Sequence, residues 1–395
     1  MTHCPVSPGE LAPFRSYLPV RISFGDGSAA ELADVLESLG AASVLVLLEE
    51  PVAAIPGVAD ALAACEARGI TLHRQLKAPG EPTFDAAEQV AREIASLAPS
   101  AFVAIGGGSA LDLAKAARLV AEQGGPLSRF VGGATAVVPP RLPLVTVPTT
   151  SGTGSEVSGG AVLTDSAAGR KVGLASPNMR AQYALVDPLL TIGLPPAPTA
   201  QTGVDALAQA IGGAIVSNGN PLSAAAGLEA CRHVAAFLAP AVADGSDLEA
   251  RRGMSLASLL AGLAMNLSDC AADHALAQAM GGYLSLPHGL TVGLVLAETL
   301  DVSRAECAPA LERVADALGA EADGTSDGSR AVREVQRLLA SIAFPTAAEA
   351  GLRAEHIDDL TPLALDEYFM TVDPHRWTAD DVRGAYEAAL SVSVR

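Results

Sequence analysis

Between Val186 and Pro198 the chain reads VDPLLTIGLPPAP, and its texture differs on the two sides of this segment. Pro188, Pro195, Pro196 and Pro198 stop regular structure there, because proline fixes φ and has no N–H to give to a helix or a ladder. Before it, short apolar runs alternate with helical patterns. Ser43 to Leu48 reads as a buried strand, with a helix from Val58 to Arg68 behind it. Ile70 to Leu76, Ala101 to Ile105 and Leu144 to Val147 read as further strands, with amphipathic helices over Asp85–Ala98 and Ala110–Glu122. Strand–helix alternation of this kind predicts a parallel sheet covered on both faces. After the prolines come long Ala/Leu-rich runs (200–216, 221–238, 248–267, 274–283) with short polar breaks, the pattern of a helical bundle. The expected fold is an α/β domain over residues 1–192, carrying a dinucleotide crevice, and an all-α domain over 193–395. A Gly/Ser/Asp-rich loop is expected at 320–329.

The 395 residues are enough for two cores. Half of them are hydrophobic and only 17% are charged, which describes a packed chain and not a disordered one. A formal charge of −19 argues against a nucleic-acid surface, which needs a basic face. The five cysteines (Cys4, Cys65, Cys231, Cys270, Cys307) never form a C-x-x-C pair, so reduced thiols and a cytoplasmic location are expected. The N-terminus lacks the basic start and apolar core of a signal peptide. No apolar run approaches the roughly 20 residues of a membrane span, so no membrane partner is expected.

Two loops carry the signature of a phosphate binder. The strand AFVAI runs straight into Gly106-Gly107-Gly108-Ser109 and a helix. Glycines let the backbone approach a pyrophosphate without a Cβ clash, and the first N–H groups of the helix point at the anion. A second strand, LPLVTV, ends in PTTSGTGSE, where Thr149, Thr150, Ser151, Thr153 and Ser155 offer hydroxyls and N–H groups to phosphate, ribose or amide. Asp112, on the helix after the first loop, is grouped with these as cofactor-binding. Two such loops at the carboxyl ends of strands in one sheet make a dinucleotide crevice. Glu49 and Glu50 close the SVLVLL strand; a carboxylate there accepts ribose hydroxyls and repels a 2′-phosphate, favouring NAD(H) over NADP(H). Lys171 can place its ammonium near phosphate or substrate.

The second half holds a candidate metal centre. Asp205 and Gln209 are four residues apart in TGVDALAQAIGG, so on a helix they share a face. His274 and Gln278 repeat that spacing in DHALAQAMGG, and His288 follows fourteen residues after His274. One acid and two imidazoles suit a divalent transition metal, whereas a glutamine amide oxygen is a neutral, weaker donor. The other histidines (His3, His73, His233, His356, His375) have no partner pattern, and Trp377 reads as a packing residue.

With these motifs in order, the chain resembles the group III, iron-containing (iron-activated) alcohol dehydrogenase family. The resemblance runs through FGDG (Phe24–Gly27), GEPT (Gly80–Thr83), GGGSALDLAKA (Gly106–Ala116), PTTSGTGSEVS (Pro148–Ser158), VDPLLT (Val186–Thr191), TGVDAL (Thr202–Leu207), LPHG (Leu286–Gly289) and DPHRWTADDV (Asp373–Val382). It implies an NAD(P)-binding domain, a helical domain, and a metal (Fe or Zn) in the cleft between them. It also implies reversible hydride transfer between nicotinamide and a small alcohol, aldehyde or oxo-acid, in a homo-oligomer, expected to be a dimer. Asp205, His274 and His288 fall on three of the four family ligand positions. Gln209 falls on the fourth and Gln278 on the position of a proton-relaying residue; both are usually histidine. Two alternatives stay open: a metal-independent enzyme like the maleylacetate reductase branch, which typically lacks the ligand acid, and a catalytically degenerate NAD-binding homologue.

Overall fold

The computed structural model describes residues 13–167 and 169–392. Its first half is a six-stranded parallel sheet built from β1 (Arg21–Phe24), β2 (Ser43–Glu49), β3 (Thr71–Lys77), β4 (Ala101–Gly106), β5 (Leu144–Pro148) and, after a separate hairpin of β6 (Gly160–Asp165) and β7 (Arg170–Ala175), β8 (Tyr183–Val186). The helices here are α1 (Leu32–Ser38), α2 (Pro56–Ala67), α3 (Phe84–Leu97) and α4 (Gly108–Gln123). Strand order is β1-β8-β5-β4-β2-β3, with Leu48 opposite Leu76 on one side and Ile105 on the other.

The central strands are apolar throughout because both faces are covered. Val44, Val46 and Leu48 point into the core under α1 and α2, while Leu45 and Leu47 point into the core under α3 and α4. The chain runs from β2 out to β3 and returns on the other side of β2 as β4. That reversal is a topological switch point, where the carboxyl ends of neighbouring strands open a crevice. Glu49 and Gly106 stand at its two lips.

The β6–β7 hairpin is antiparallel and leaves the main sheet. The sequence reading did not foresee it; its strands are only partly buried and lack the continuous apolar run of the central strands. It is anchored by α4: Val162 N–H donates to Asp112 at 2.8 Å, and the buried Lys115 ammonium reaches Ser158 Oγ at 3.1 Å and the Gly160 carbonyl.

The second half is helical: α5 (Pro196–Ile215), α6 (Pro221–Ala243), α7 (Leu248–Leu267), α8 (Ala272–Leu284), α9 (His288–Leu318), α10 (Ser329–Ser341), α11 (Ile357–Leu365) and α12 (Ala379–Ser391). Asn220 starts α6 with a reciprocal capping box, and Asp247 caps α7 through Ala250 N–H. The long α5 is buried on nearly every side, with Val204, Leu207 and Ile211 in the core. Trp377 joins that core, as expected. No single described helix is long and apolar enough to cross a membrane. His3 and Cys4 lie outside the described residues; Cys65, Cys231, Cys270 and Cys307 are free and buried.

Candidate active site

The first glycine loop is tight because its neighbours leave no room for side chains. A Cβ on Gly106 would lie 2.8 Å from Ala110 Cβ, and one on Gly108 would lie 2.5 Å from Thr153 Cγ2. Thr153 therefore packs directly on the start of α4, which interlocks the two phosphate loops. Thr149 N–H also bonds the Gly106 carbonyl at 3.0 Å. The second loop is in turn pressed against the helical domain. A Cβ on Gly154, whose φ is +59°, would come within 2.3 Å of Gly262 Cα on α7, and one on Gly152 within 2.5 Å of Thr202 Cβ on α5. Ser151 meets Ser255 of α7 at 3.1 Å. The crevice and the bundle thus share a wall.

Glu49 reaches the crevice, and its carboxylate already has protein partners. It accepts from Gly107 N–H at 3.0 Å and Ser109 Oγ at 3.4 Å, and pairs with the buried Lys77 ammonium at 3.3 Å. The carboxylate sits where an α-helix N-terminus attracts anions. Glu50 is exposed. Asp112 and Ser155, expected to touch cofactor, are bound to each other at 2.5 Å. With its other oxygen on Val162 N–H and Lys115 alongside at 3.1 Å, Asp112 locks loop and hairpin onto α4. Thr150 and Ser109 remain partly open at the crevice.

Asp205, His274 and His288 come together from α5, α8 and the first residue of α9. Their ligand atoms all lie within 4.8 Å of one another. Asp205 Oδ1 is 3.5 Å from His274 Nε2 and 3.6 Å from His288 Nε2. Asp205 Oδ1, His274 Nε2 and the Gln209 amide oxygen are all buried without a hydrogen-bond partner. Buried polar groups are rarely left so, and a divalent cation satisfies this acid–imidazole set together. The donors fit a metal. Gln278, one turn after His274, is buried.

Two residues that the sequence reading missed complete the centre. Asp273 accepts from the His274 Nδ1–H at 2.6 Å, with both side chains almost wholly buried. This carboxylate fixes the ring so that Nε2 faces Asp205, the arrangement metal-binding histidines usually have. An acid directly before a ligand histidine was the available signal. Phe369, from the turn Tyr368–Thr371, packs edge-on against the His274 ring at 5.7 Å.

Electrostatics keep the site ready for a cation. Burial works against ionising Asp205, but His274, His288 and Gln209 outweigh it and hold its pKa below the usual carboxylate range. Burial, helped by positive charge on His274 and Lys171, pushes His288 below the usual imidazole range despite Asp205. His288 is therefore held neutral, as a ligand must be, whereas His274, despite its burial, is held well above the usual imidazole range by Cys270, Asp273 and Asp205, so that a bound cation would take the place of its proton. Lys171 resolves onto the metal side of the cleft and away from the glycine loops. Its ammonium pairs with Glu81 of the GEPT loop at 3.2 Å and donates to the Leu286 carbonyl at 3.3 Å.

Residues 19–188 match the model of the iron-containing alcohol dehydrogenase family, and residues 199–390 match its C-terminal model. The chain belongs to the iron-containing alcohol dehydrogenase family. It is 31% identical to long-chain-alcohol dehydrogenase 1 of Geobacillus thermodenitrificans, covering 96% of this chain and 98% of that protein. Among solved structures it is similar to a 1,3-propanediol oxidoreductase (TM-score 0.91, 27% identity, 96% of this chain and 100% of that one). It is also similar to sulfoacetaldehyde reductase from Bifidobacterium kashiwanohense in complex with NAD+ (TM-score 0.88, 27% identity, 97% and 100%). This family member is an oxidoreductase of the alcohol dehydrogenase type, with the parallel-sheet domain and helical domain the sequence implied.

Proposed function

We propose that the protein reversibly transfers hydride between NAD(H) and a small alcohol or aldehyde at a divalent metal held by Asp205, His274 and His288. The observation that carries this reading is the juxtaposition of two features. One is a cluster of buried, unsatisfied acid and imidazole atoms; the other is a glycine loop at the switch point of a parallel sheet, against the same bundle.

Each group of residues has a task in that reaction. Gly106 and Gly107 let the backbone approach a pyrophosphate, and Gly108 and Ser109 offer it N–H groups at the α4 N-terminus, the Gly107 N–H being given to Glu49. Glu49 places negative charge at the crevice, which favours NAD(H) over its 2′-phosphorylated form. Asp205, His274 and His288 hold the ion, and Asp273 orients His274 through Nδ1. When bound, the ion supplies polarisation of a carbonyl oxygen and reduced nicotinamide supplies hydride. Gln278 orients substrate or nicotinamide by hydrogen bonds, since an amide does not exchange protons near neutrality; water or a ribose hydroxyl carries the proton. Phe369 and the buried walls of α5 and α8 exclude bulk water.

Four buried, unpaired thiols support a reducing, cytoplasmic setting. The exposed Phe14, Tyr17, Leu18, Ile22 and Phe24 around edge strand β1 support a homodimer. The test is a survey of NADH and NADPH oxidation with small aldehydes and oxo-acids, with and without added Fe(II) or Zn(II). Turnover that needs NADH and metal supports the proposal. Full turnover in chelator overturns the metal assignment, and no turnover with any carbonyl overturns the enzyme reading.

A further inference from the structure

Gln209 is the member of the cluster whose chemistry sets this chain apart. It stands one turn beyond Asp205 on α5 and is 3% exposed. Its Oε1 is buried with no partner, as are Asp205 Oδ1 and His274 Nε2. A buried amide oxygen without a donor lacks the partner its lone pairs call for. A cation bound by Asp205 and His274 would supply that partner.

The structure assigns Gln209 as a metal-facing oxygen donor, and we infer that it gives the centre two oxygens and two imidazoles, a set that favours harder divalent ions such as Mn(II) and Fe(II) relative to Zn(II). The inference rests on the reading that the cluster holds a divalent ion. Charge does not drive the preference, because amide and imidazole are both neutral and Asp205 remains the one anion. Donor softness does. Zn(II), borderline-soft and later in the stability series, gains more from a ring nitrogen than from an amide oxygen, whereas earlier ions lose less when nitrogen becomes oxygen. The i, i+4 spacing on a helix buried on nearly every side fixes Gln209 next to Asp205, so the oxygen is placed by the fold and not by a mobile loop.

The test measures metal affinity and not turnover. Chelator-stripped wild-type protein, Gln209→His and Gln209→Leu are titrated with Zn(II) against a chromophoric competitor, and with Mn(II) by the loss of its free-ion EPR signal. Gln209→His should tighten Zn(II) by about tenfold more than it tightens Mn(II), since only the softer donor has been added. Gln209→Leu keeps the volume and removes the oxygen, and should weaken Mn(II) more than Zn(II). If both variants leave the Zn(II)/Mn(II) ratio of the wild type unchanged, Gln209 supports Asp205 only and the inference is overturned. If the wild type binds neither ion, the metal reading itself fails, a result distinct from binding with unaltered selectivity.

Discussion

Replacing Asp273 by Asn isolates what the second carboxylate does for the metal centre. The two side chains are nearly isosteric, so the volume beside His274 is kept while the charge is lost. In the native chain Asp273 Oδ2 lies 2.6 Å from His274 Nδ1, with side-chain exposures of 2% and 4%. A charge-assisted hydrogen bond this buried is among the stronger kinds. It also determines which ring nitrogen is free for a cation, because a proton held on Nδ1 leaves Nε2 as the donor. Loss of such an outer partner typically costs 10–100-fold in metal affinity, or about 1.4–2.7 kcal/mol. Asp273→Asn should therefore raise the Kd for Zn(II) or Fe(II) by that factor, with a near-native melting temperature for the metal-free protein. The assay is competition with a chromophoric chelator, supported by metal content after gel filtration. An unchanged Kd would refute the reasoning, because it would mean that the His274 ring is held by packing, against Phe369 for instance, and not by the carboxylate.

Other perturbations have equally definite outcomes. Gly108→Ala puts a Cβ 2.5 Å from Thr153 Cγ2 and should separate the interlocked loops; NADH affinity by fluorescence titration should fall by about tenfold or more, roughly 1.4 kcal/mol, and unchanged affinity would contradict the proposed pyrophosphate site. Wild-type kcat/KM should favour NADH over NADPH by a charge clash of about 1–3 kcal/mol, and Glu49→Gln should narrow the gap; equal use of both cofactors by the wild type would sink this idea. Burial raises the Glu156 carboxyl from 4.5 to about 7, against the pull of its own backbone N–H and Lys115. The folded state then holds a proton that the unfolded state has lost, so the site's contribution is intact below pH 4.5 and is lost as pH rises towards 7. Glu156→Gln should therefore stabilise the protein at pH 8 by up to about 3 kcal/mol, but hardly at pH 4.5. Urea midpoints shifted equally at the two pH values would exclude this account.

The sequence carried the elements and the chemistry further than it carried their connections. Strands β2, β4 and β5 were legible because central parallel strands are apolar on both faces; helical spacing links only Asp205 to Gln209 and His274 to Gln278, and the grouping of Asp205, His274 and His288 came from the family resemblance. The β6–β7 hairpin was not legible: its strands are only partly buried, without a continuous apolar run, and it is fixed by the Asp112 and Lys115 side chains of α4. Asp112 and Ser155 look like free polar groups in a phosphate loop, and only the fold shows that they bind each other. The surroundings of Glu49 depend on β2 and β4 being neighbours across the reversal of strand order, which no local window contains. Asp273 was visible next to His274, but a helical reading puts adjacent side chains in different directions, and the contact becomes apparent only at the level of rotamers.

The account stands most directly on metal-dependent carbonyl reduction at the Asp205–His274–His288 cluster. The decisive measurement is the rate of NADH oxidation by one small aldehyde, made on a single preparation before stripping, after stripping with chelator, and after anaerobic return of one equivalent of Fe(II). The account predicts activity that disappears on stripping, returns with the ion, and does not return in Asp205→Ala. A stripped protein that turns over at the original rate would contradict it.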